Sequence, residues 1–345
     1  MPYDYLVLIG RFQPLHNGHL SVLAHALRLA RKVIVLTGSA GQPRTIRNPW
    51  NASERAVMIR AAAGDEAGRL IVRPLRDHLY NDTLWVAEVQ TLVAQALADD
   101  GAAADAKVGL IGRQKDDTSA YLAAFPQWPL VDVQHTEVLS ATEIRAWLFS
   151  GDAGGRLMVE ANVPAPVFAM LEAFRSASPA YAQLAREDAF IRTYRQAWAA
   201  APYPPTFVTA DAVVVHSGHV LMVRRRAEPG RGLWALPGGF VNQDETVLDA
   251  ALRELREETR VKLPLPVLKG SLKARQVFDH PGRSLRGRTI THAFHFDFPA
   301  GELPRARAAD DADQVRWIPV SEAMLMEEQM FEDHFHILEH FLGGA

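Results

Sequence analysis

Four continuous apolar runs constrain the first half of this chain most tightly: Leu6-Val7-Leu8-Ile9, Val33-Ile34-Val35-Leu36, Leu70-Ile71-Val72 and Val108-Gly109-Leu110-Ile111. Runs without polar alternation belong to strands buried on both faces, as in parallel sheets. Between them lie segments with helical spacing. Asn17 to Ala30 sets Leu20, Leu23, Ala24 and Leu27 on one face, and Glu54 to Ala63 and Leu84 to Leu97 follow. This βαβα order predicts an α/β fold, a doubly wound parallel sheet with ligands beyond the carboxyl ends of its strands.

The pattern changes after a proline-rich joint. Tyr181 to Ala200 reads as a helix that Pro202-Tyr203-Pro204-Pro205 ends, because proline cannot continue it. Beyond it, Ala212–Val215, Val220–Val223, Ile290–Phe296 and Val315–Ile318 read as strands at hairpin-like spacing around one strong helix, an α+β pattern. The expected organisation is a first domain over 1–180, a helical linker over 181–205 and a second domain over 206–345. A length of 345 residues agrees with two cores rather than one.

Composition narrows the chemistry. There are no cysteines, which removes disulfides, thiolate metal sites and a cysteine nucleophile. Any metal must therefore take carboxylate, imidazole, carbonyl or water, a set that favours Mg²⁺ or Mn²⁺. A formal net charge of -3 provides no global field to recruit nucleic acid. The start, Met1-Pro2-Tyr3-Asp4-Tyr5, has neither the basic region nor the apolar core of a signal peptide, and no apolar run approaches membrane-spanning length. The expectation is a cytoplasmic enzyme with no membrane and no nucleic-acid partner.

Two segments carry phosphate chemistry. Gly10 ends the first strand and His16-Asn17-Gly18-His19 opens the following helix. Helix N-termini offer unpaired N–H groups and partial positive charge, which suit phosphate, and two imidazoles flanking a glycine add donors. No side chain there need be a nucleophile, since a substrate phosphate can attack the α-phosphate of ATP directly while the protein aligns it and stabilises charge. The second segment runs from Gly239 through Glu245 to Arg253-Glu254-Leu255-Arg256-Glu257-Glu258. Glu245 to Thr259 has a helical pattern, with Leu248, Ala251, Leu252 and Leu255 on its apolar face. Glu254, Glu257 and Glu258 then cluster along one edge, where a hard divalent ion neutralises them, polarises a pyrophosphate and activates water. Arg253, four residues before Glu257, is placed to orient it. A loop further on, Phe278 to His292, carries Arg283, Arg286 and Arg288 and suits a pyrophosphate.

Gly10-Arg11-Phe12-Gln13-Pro14-Leu15-His16-Asn17-Gly18-His19 resembles the first signature of the HIGH-motif nucleotidyltransferase superfamily, and Ser140-Ala141-Thr142-Glu143-Ile144-Arg145 resembles its second. With Asn48-Pro49-Trp50, Glu54-Arg55, Asp77, Asn81 and Trp85, residues 4–175 are similar to archaeal-type nicotinamide-mononucleotide adenylyltransferases. That resemblance implies that Gly10, Arg11, Phe12, His16, His19, Ser140, Thr142 and Arg145 bind ATP, with His16, His19 and Arg145 catalytic. It implies that Asn48, Trp50, Asp77, Asn81 and Trp85 bind nicotinamide mononucleotide, Trp85 stacking on the nicotinamide. Asp77, Asn81 and Trp85 would share one side if that stretch is helical.

The second segment resembles the Nudix box, in which Glu254, Glu257 and Glu258 hold Mg²⁺ or Mn²⁺ and Glu257 and Glu258 are catalytic. It departs from the box at Arg260, where a glycine normally ends the helix, and a non-glycine in a left-handed ending costs roughly 1 kcal/mol. The order of segments resembles bifunctional nicotinamide-mononucleotide adenylyltransferase/ADP-ribose pyrophosphatases. It implies NAD⁺ synthesis from the mononucleotide and ATP, and ADP-ribose hydrolysis to AMP and ribose 5-phosphate, with Arg283, Arg286 and Arg288 binding ADP-ribose. Alternatives are another acceptor for the transferase, or a Nudix domain that senses ADP-ribose or cleaves another nucleoside diphosphate. Which glutamate acts as base, the oligomeric state and acceptance of nicotinate mononucleotide stay open.

Overall fold

The computed structural model describes residues 1–112, 122–133, 140–309 and 312–343. The chain divides into two compact units, Met1–Ala185 and Arg186–Ala345. The first contains strands β1 Tyr3–Gly10, β2 Ala30–Ala40, β3 Leu70–Arg76, β4 Val108–Gly112 and β5 Leu130–Asp132 in the order β3-β2-β1-β4-β5, every pairing parallel. Helices α1 Asn17–Leu29, α2 Ala52–Ala63, α3 Asp82–Asp99, α4 Ala141–Ser150, α5 Ala153–Asn162 and α6 Ala165–Ala177 cover it.

Alternate residues of the apolar runs feed opposite cores. Leu6, Leu8, Val33 and Val35 pack with Leu23, Ile59, Ile144 and Leu171, while Val7, Ile34, Leu36 and Leu110 pack with Val89 and Val93 of α3. Both faces are buried, so the runs show no polar alternation. The strand order reverses between β1 and β4, so the crevice beyond the C-terminal end of β1 is the natural ligand position.

One local expectation fails. Asp77, Asn81 and Trp85 do not share a helix side, because β3 ends at Arg76 and α3 begins only at Asp82. Asn81 stands outside the helix as its N-cap, its side chain accepting the Leu84 N–H at 3.0 Å. Asp77 precedes it and accepts the Ser39 N–H at 3.1 Å.

Helix α7, Pro179–Ala197, contains the division between the units. In the second unit, β6 Thr206–His216, β7 His219–Arg225, β8 Trp234–Ala235, β9 Gly238–Phe240, β10 Leu272–Phe278, β11 Arg288–Phe298 and β12 Ala312–Pro319 form a mixed sheet. Its main order is β10-β11-β6-β7-β12, with only the β11–β6 pair parallel along that path. Helices α8 Val247–Thr259, α9 Leu265–Gly270, α10 Val320–Ala323 and α11 His334–Leu342 complete it.

Ala212 and Val214 of β6 meet Leu252 and Leu255 of α8, and Val213 between them meets Phe335 and Leu338 of α11. The sheet is thus sandwiched between the two helices. Helix α8 starts two residues later than its pattern suggested: Thr246 caps it, and Glu245 lies outside. It ends on Arg260 at φ 45° and ψ 30°, the left-handed ending a glycine would have entered without steric cost.

Candidate functional site

The first site forms where β1 gives way to α1. Phe12 has φ 50° and folds its ring back over Gly10, where a Cβ would lie 3.0 Å from the ring. The His16–His19 segment closes α1 by an unusual capping box. The Gly18 N–H donates to His16 Nδ1 at 3.2 Å, and the His16 N–H donates to His19 Nδ1 at 3.4 Å. A ring nitrogen that accepts a hydrogen bond carries no proton, so both neutral rings bear theirs on Nε2. The rings lie 3.7 Å apart, and burial, with His16 and Arg11 nearby, holds the His19 pKa well below its usual value. Both imidazoles are therefore placed as neutral Nε2–H donors.

Arginines supply the charge. Arg145, on α4, is buried and donates to the Gln13 carbonyl at 2.5 Å and to Thr142 Oγ1 at 3.1 Å. Ser140 caps α4 with Glu143 as its reciprocal partner, so Ser140 and Thr142 build the helix start that holds Arg145. Burial first, then Arg11 and Arg47, pulls the Arg145 pKa down to about 10. Arg11 is shifted down by burial and Arg47, and its Nη1 is buried without a hydrogen-bond partner. An unsatisfied cationic donor is expensive unless a ligand meets it.

Two further arginines stand nearby: Arg47, which the sequence reading did not single out, and Arg55, which it quoted with Glu54 without a role. Arg47 contributes to the same field. Arg55 is fully buried and donates to the carbonyls of Arg11, Gly38, Ser39 and Asn51, tying the ends of β1 and β2 to the start of α2. A lone arginine inside a helical pattern carries no sequence signal for this role, since its partners are main-chain groups.

The residues expected around the mononucleotide are placed less uniformly. Trp50 is 2% exposed, packs on Phe174 with centroids 5.5 Å apart, and belongs to the core, although its Nε1 is buried without a partner. Gln13 exchanges two hydrogen bonds with the Trp50 main chain, at 2.7 and 3.1 Å. Asn48 Oδ1 is also buried without a partner. Trp85 is half-buried and tilts against Phe125.

The second site lies in the second unit, at a cavity of about 250 Å³. Its lining includes Asp211, Glu254, Glu258, Arg283 and Arg286. Glu258 is 7% exposed and accepts the Gly238 N–H at 3.1 Å. Burial, with the Glu254 charge nearby, pushes its pKa up to about 8. Asp211 is held by the Thr291 hydroxyl at 2.5 Å, and burial pushes it up to about 6.

Arg253 gathers carboxylates from two sides: Glu245 at 2.7 and 2.9 Å, Glu254 at 2.7 Å and Glu257 at 2.9 Å. The Glu245 pKa is consequently drawn down to about 2. Glu257, drawn toward Arg253, lines a different cavity with Arg256 and Arg260. Among the described residues no three acidic or histidine side chains already converge as a metal cluster. Buried Glu258 and the partly buried Glu254, which Arg253 also holds, line the same cavity and offer carboxylate oxygens that fit a hard divalent ion.

The arginine loop separates into three roles. Arg283 is a buried partner of Asp333, with paired bonds of 2.8 and 2.9 Å. Arg286 lies over Phe240 and 3.6 Å from Glu332. Arg288 contacts Asp279 outside the cavity lining. Residues 331–334, which no sequence signal singled out, build a wall of this cavity: Phe331 and Glu332 line it, Asp333 holds Arg283, and His334 Nδ1 accepts the Leu236 N–H.

Comparison with known proteins matches a family to each unit. Residues 7–147 match the cytidylyltransferase-like family and residues 205–341 match the NUDIX domain. A nicotinamide/nicotinic acid mononucleotide adenylyltransferase from Acinetobacter baylyi is 38% identical over 185 residues, which is 53% of this chain and 92% of that protein. An ADP-ribose pyrophosphatase from Methanocaldococcus jannaschii is 35% identical over 114 residues, 33% of this chain and 62% of that protein. The crystal structure of a bifunctional NMN adenylyltransferase/ADP ribose pyrophosphatase from Francisella tularensis superposes over 99% of both chains, with TM-score 0.89 and 34% identity. A second crystal structure of that protein, with AMP and a manganese ion, matches equally. With two sites of opposite charge on the two matched folds, and full-length likeness at this identity, the chain belongs to the family of bifunctional NMN adenylyltransferase/ADP-ribose pyrophosphatases.

Proposed function

We propose that the first unit joins nicotinamide mononucleotide to ATP, giving NAD⁺ and pyrophosphate, and that the second hydrolyses ADP-ribose to AMP and ribose 5-phosphate. The observation that carries this reading is the like charge gathered at each site. In the first, burial and then Arg47 lower the pKa of Arg11, and burial and then Arg11 and Arg47 lower that of Arg145, so the site suits an anion. In the second, burial first and then the Glu254 charge raise the pKa of Glu258, so the site suits a cation. Polyphosphate relieves the one, and a divalent ion with a diphosphate relieves the other.

In the transfer, an oxygen of the mononucleotide phosphate bonds to the α-phosphorus of ATP while the bond to the β-phosphate oxygen breaks and pyrophosphate leaves with its electron pair. The Nε2–H groups of His16 and His19 donate to phosphate oxygens, and Arg11 and Arg145 stabilise the charge on the phosphates. Neutral His19 serves as donor and positioner, without a proton to give up as an imidazolium. Asn48, Asp77, Asn81 and Trp85 are assigned to the mononucleotide, and Ser140 and Thr142 to ATP through the helix start they build. Mg²⁺ accompanies ATP.

In the hydrolysis, Glu254 and Glu258 hold Mg²⁺ or Mn²⁺. Such an ion polarises the diphosphate and lowers the pKa of water. Arg253 keeps Glu245 and Glu257 in place, while Arg286 faces the substrate and Arg283, fixed by Asp333, supports it. Water adds to phosphorus and the P–O–P bridge breaks between the two halves of ADP-ribose.

A product assay on the intact chain tests both reactions separately, with ATP plus mononucleotide and with ADP-ribose plus divalent ion. His19→Ala is expected to lower NAD⁺ formation by at least about tenfold while AMP release from ADP-ribose persists, one hydrogen bond to a charged group being worth roughly 1.5–3 kcal/mol. Equal loss of both reactions in a folded variant contradicts two independent sites.

A further inference from the structure

One ring nitrogen beside the mononucleotide residues is left without a partner. His78 follows Asp77, and its carbonyl accepts the Asn81 N–H at 3.0 Å, so it opens the turn that leads into α3. Its Nε2 meets Glu88 Oε2 at 2.6 Å. Glu88 is fixed in turn, because its other oxygen accepts the Arg76 N–H at 3.2 Å. Glu88 comes three residues after Trp85 on α3, so the two share a helix face. The imidazole therefore stands between the end of β3 and the helix face that carries Trp85, beside Asp77, which accepts the Ser39 N–H. Its Nδ1 is buried and, among the described residues, has no hydrogen-bond partner, in a side chain 10% exposed.

A carboxylate only accepts, so Nε2 carries a proton, and in the neutral ring Nδ1 is a bare lone pair. A buried acceptor left unpaired costs free energy that a ligand donor recovers. The two pyridine mononucleotides differ at one group. The carboxamide of nicotinamide has an N–H to give, whereas the carboxylate of nicotinate has only lone pairs. We propose that His78, held by Glu88, selects nicotinamide mononucleotide over nicotinate mononucleotide: its Nδ1 accepts a carboxamide N–H and disfavours a carboxylate. This deepens the transferase reading of the first unit and rests on it. Glu88 is a positioning residue, acting through the tautomer it fixes.

The ratio of kcat/KM for the two mononucleotides, each with ATP, reads the selection. The wild-type chain is expected to prefer nicotinamide mononucleotide at least about tenfold. His78→Gln can keep a donor to Glu88 but has no acceptor in the place of Nδ1. Its ratio should fall to about one, through a higher KM for nicotinamide mononucleotide with the KM for ATP unchanged. Glu88→Gln acts through the ring. Its carbonyl can keep the Arg76 N–H while its amide nitrogen donates to Nε2, so the ring proton moves to Nδ1 and faces the ligand as a donor. The ratio should then shift toward nicotinate mononucleotide, and nitrogen NMR of the imidazole should show the changed tautomer, which a merely structural role would not produce. A wild-type ratio near one, or variants that lower turnover of both mononucleotides equally, overturns selection by His78. If the wild-type chain makes no dinucleotide from either, the transferase reading fails instead. Quenching of tryptophan fluorescence by each mononucleotide then measures the two affinities, and equal affinities overturn the selection as well.

Discussion

Replacing Glu258 by glutamine isolates the electrostatics of the second site. Glutamine keeps the volume, and its carbonyl can still accept the Gly238 N–H. What changes is the charge, in a side chain 7% exposed, with Glu254 and Asp211 as like charges and Arg225 as the opposing one. Its carboxyl titrates near 4.5 when free and at about 8 in the fold. A raised folded pKa means that the native state holds the proton longer than the unfolded chain. Stability from this group is complete below pH 4.5 and is lost as pH rises through about 8. At about 1.36 kcal/mol per pH unit, that interval bounds the loss at on the order of 5 kcal/mol. Without divalent ion, Glu258→Gln should therefore be more stable than the wild type at pH 9, by a margin that shrinks toward zero at pH 4.5.

Addition of Mn²⁺ or Mg²⁺ should narrow that margin at pH 9. An ion at a hundred times its Kd stabilises the protein it binds by about 2.7 kcal/mol, and the glutamine variant lacks that ligand. Urea unfolding of the second unit across pH 5 to 9, with and without ion, measures both terms, and AMP release should be abolished while NAD⁺ formation continues. A stability gain that does not vary with pH, or equal stabilisation of both proteins by the ion, refutes the reasoning.

Two other positions test particular contacts. A Cβ at Gly239 would lie 2.4 Å from Glu254 Oε1, so Gly239→Ala should push that carboxylate aside and lower ADP-ribose turnover at least about tenfold, with the fold kept because a flexible side-chain end can yield. A full-rate variant would show that Glu254 need not stay where it is. Arg260→Gly removes the steric cost of the left-handed ending against a larger unfolded-state entropy, for a net gain of about 0.5–1 kcal/mol in urea unfolding. A loss would mean that the Arg260 side chain stabilises the helix end by more than its backbone strain costs.

The amino-acid sequence by itself determined what depends on near neighbours. Unalternated runs marked the parallel strands because both faces of that sheet are buried, and the spacing from Glu254 to Glu258 on an amphipathic helix put carboxylates along one edge. His16 and His19 were legible for the same reason, being separated by less than one turn. The tertiary structure alone decided what surrounds each of these groups. Glu254 and Glu258 line one cavity and Glu257 another, while Arg253 pairs with both Glu254 and Glu257 at 2.7 and 2.9 Å, a division that helical spacing leaves open. Asp333, fifty residues beyond Arg283, pairs with that arginine inside the fold, a partner that the sequence did not mark. Asn81 became a helix cap where spacing alone allowed a helical face. Phe240 and Phe331, far apart in the chain, came to flank Arg286 only in the folded unit. Periodicity is local and survives in sequence, whereas ion pairs and cavity walls depend on distances that only the folded chain defines.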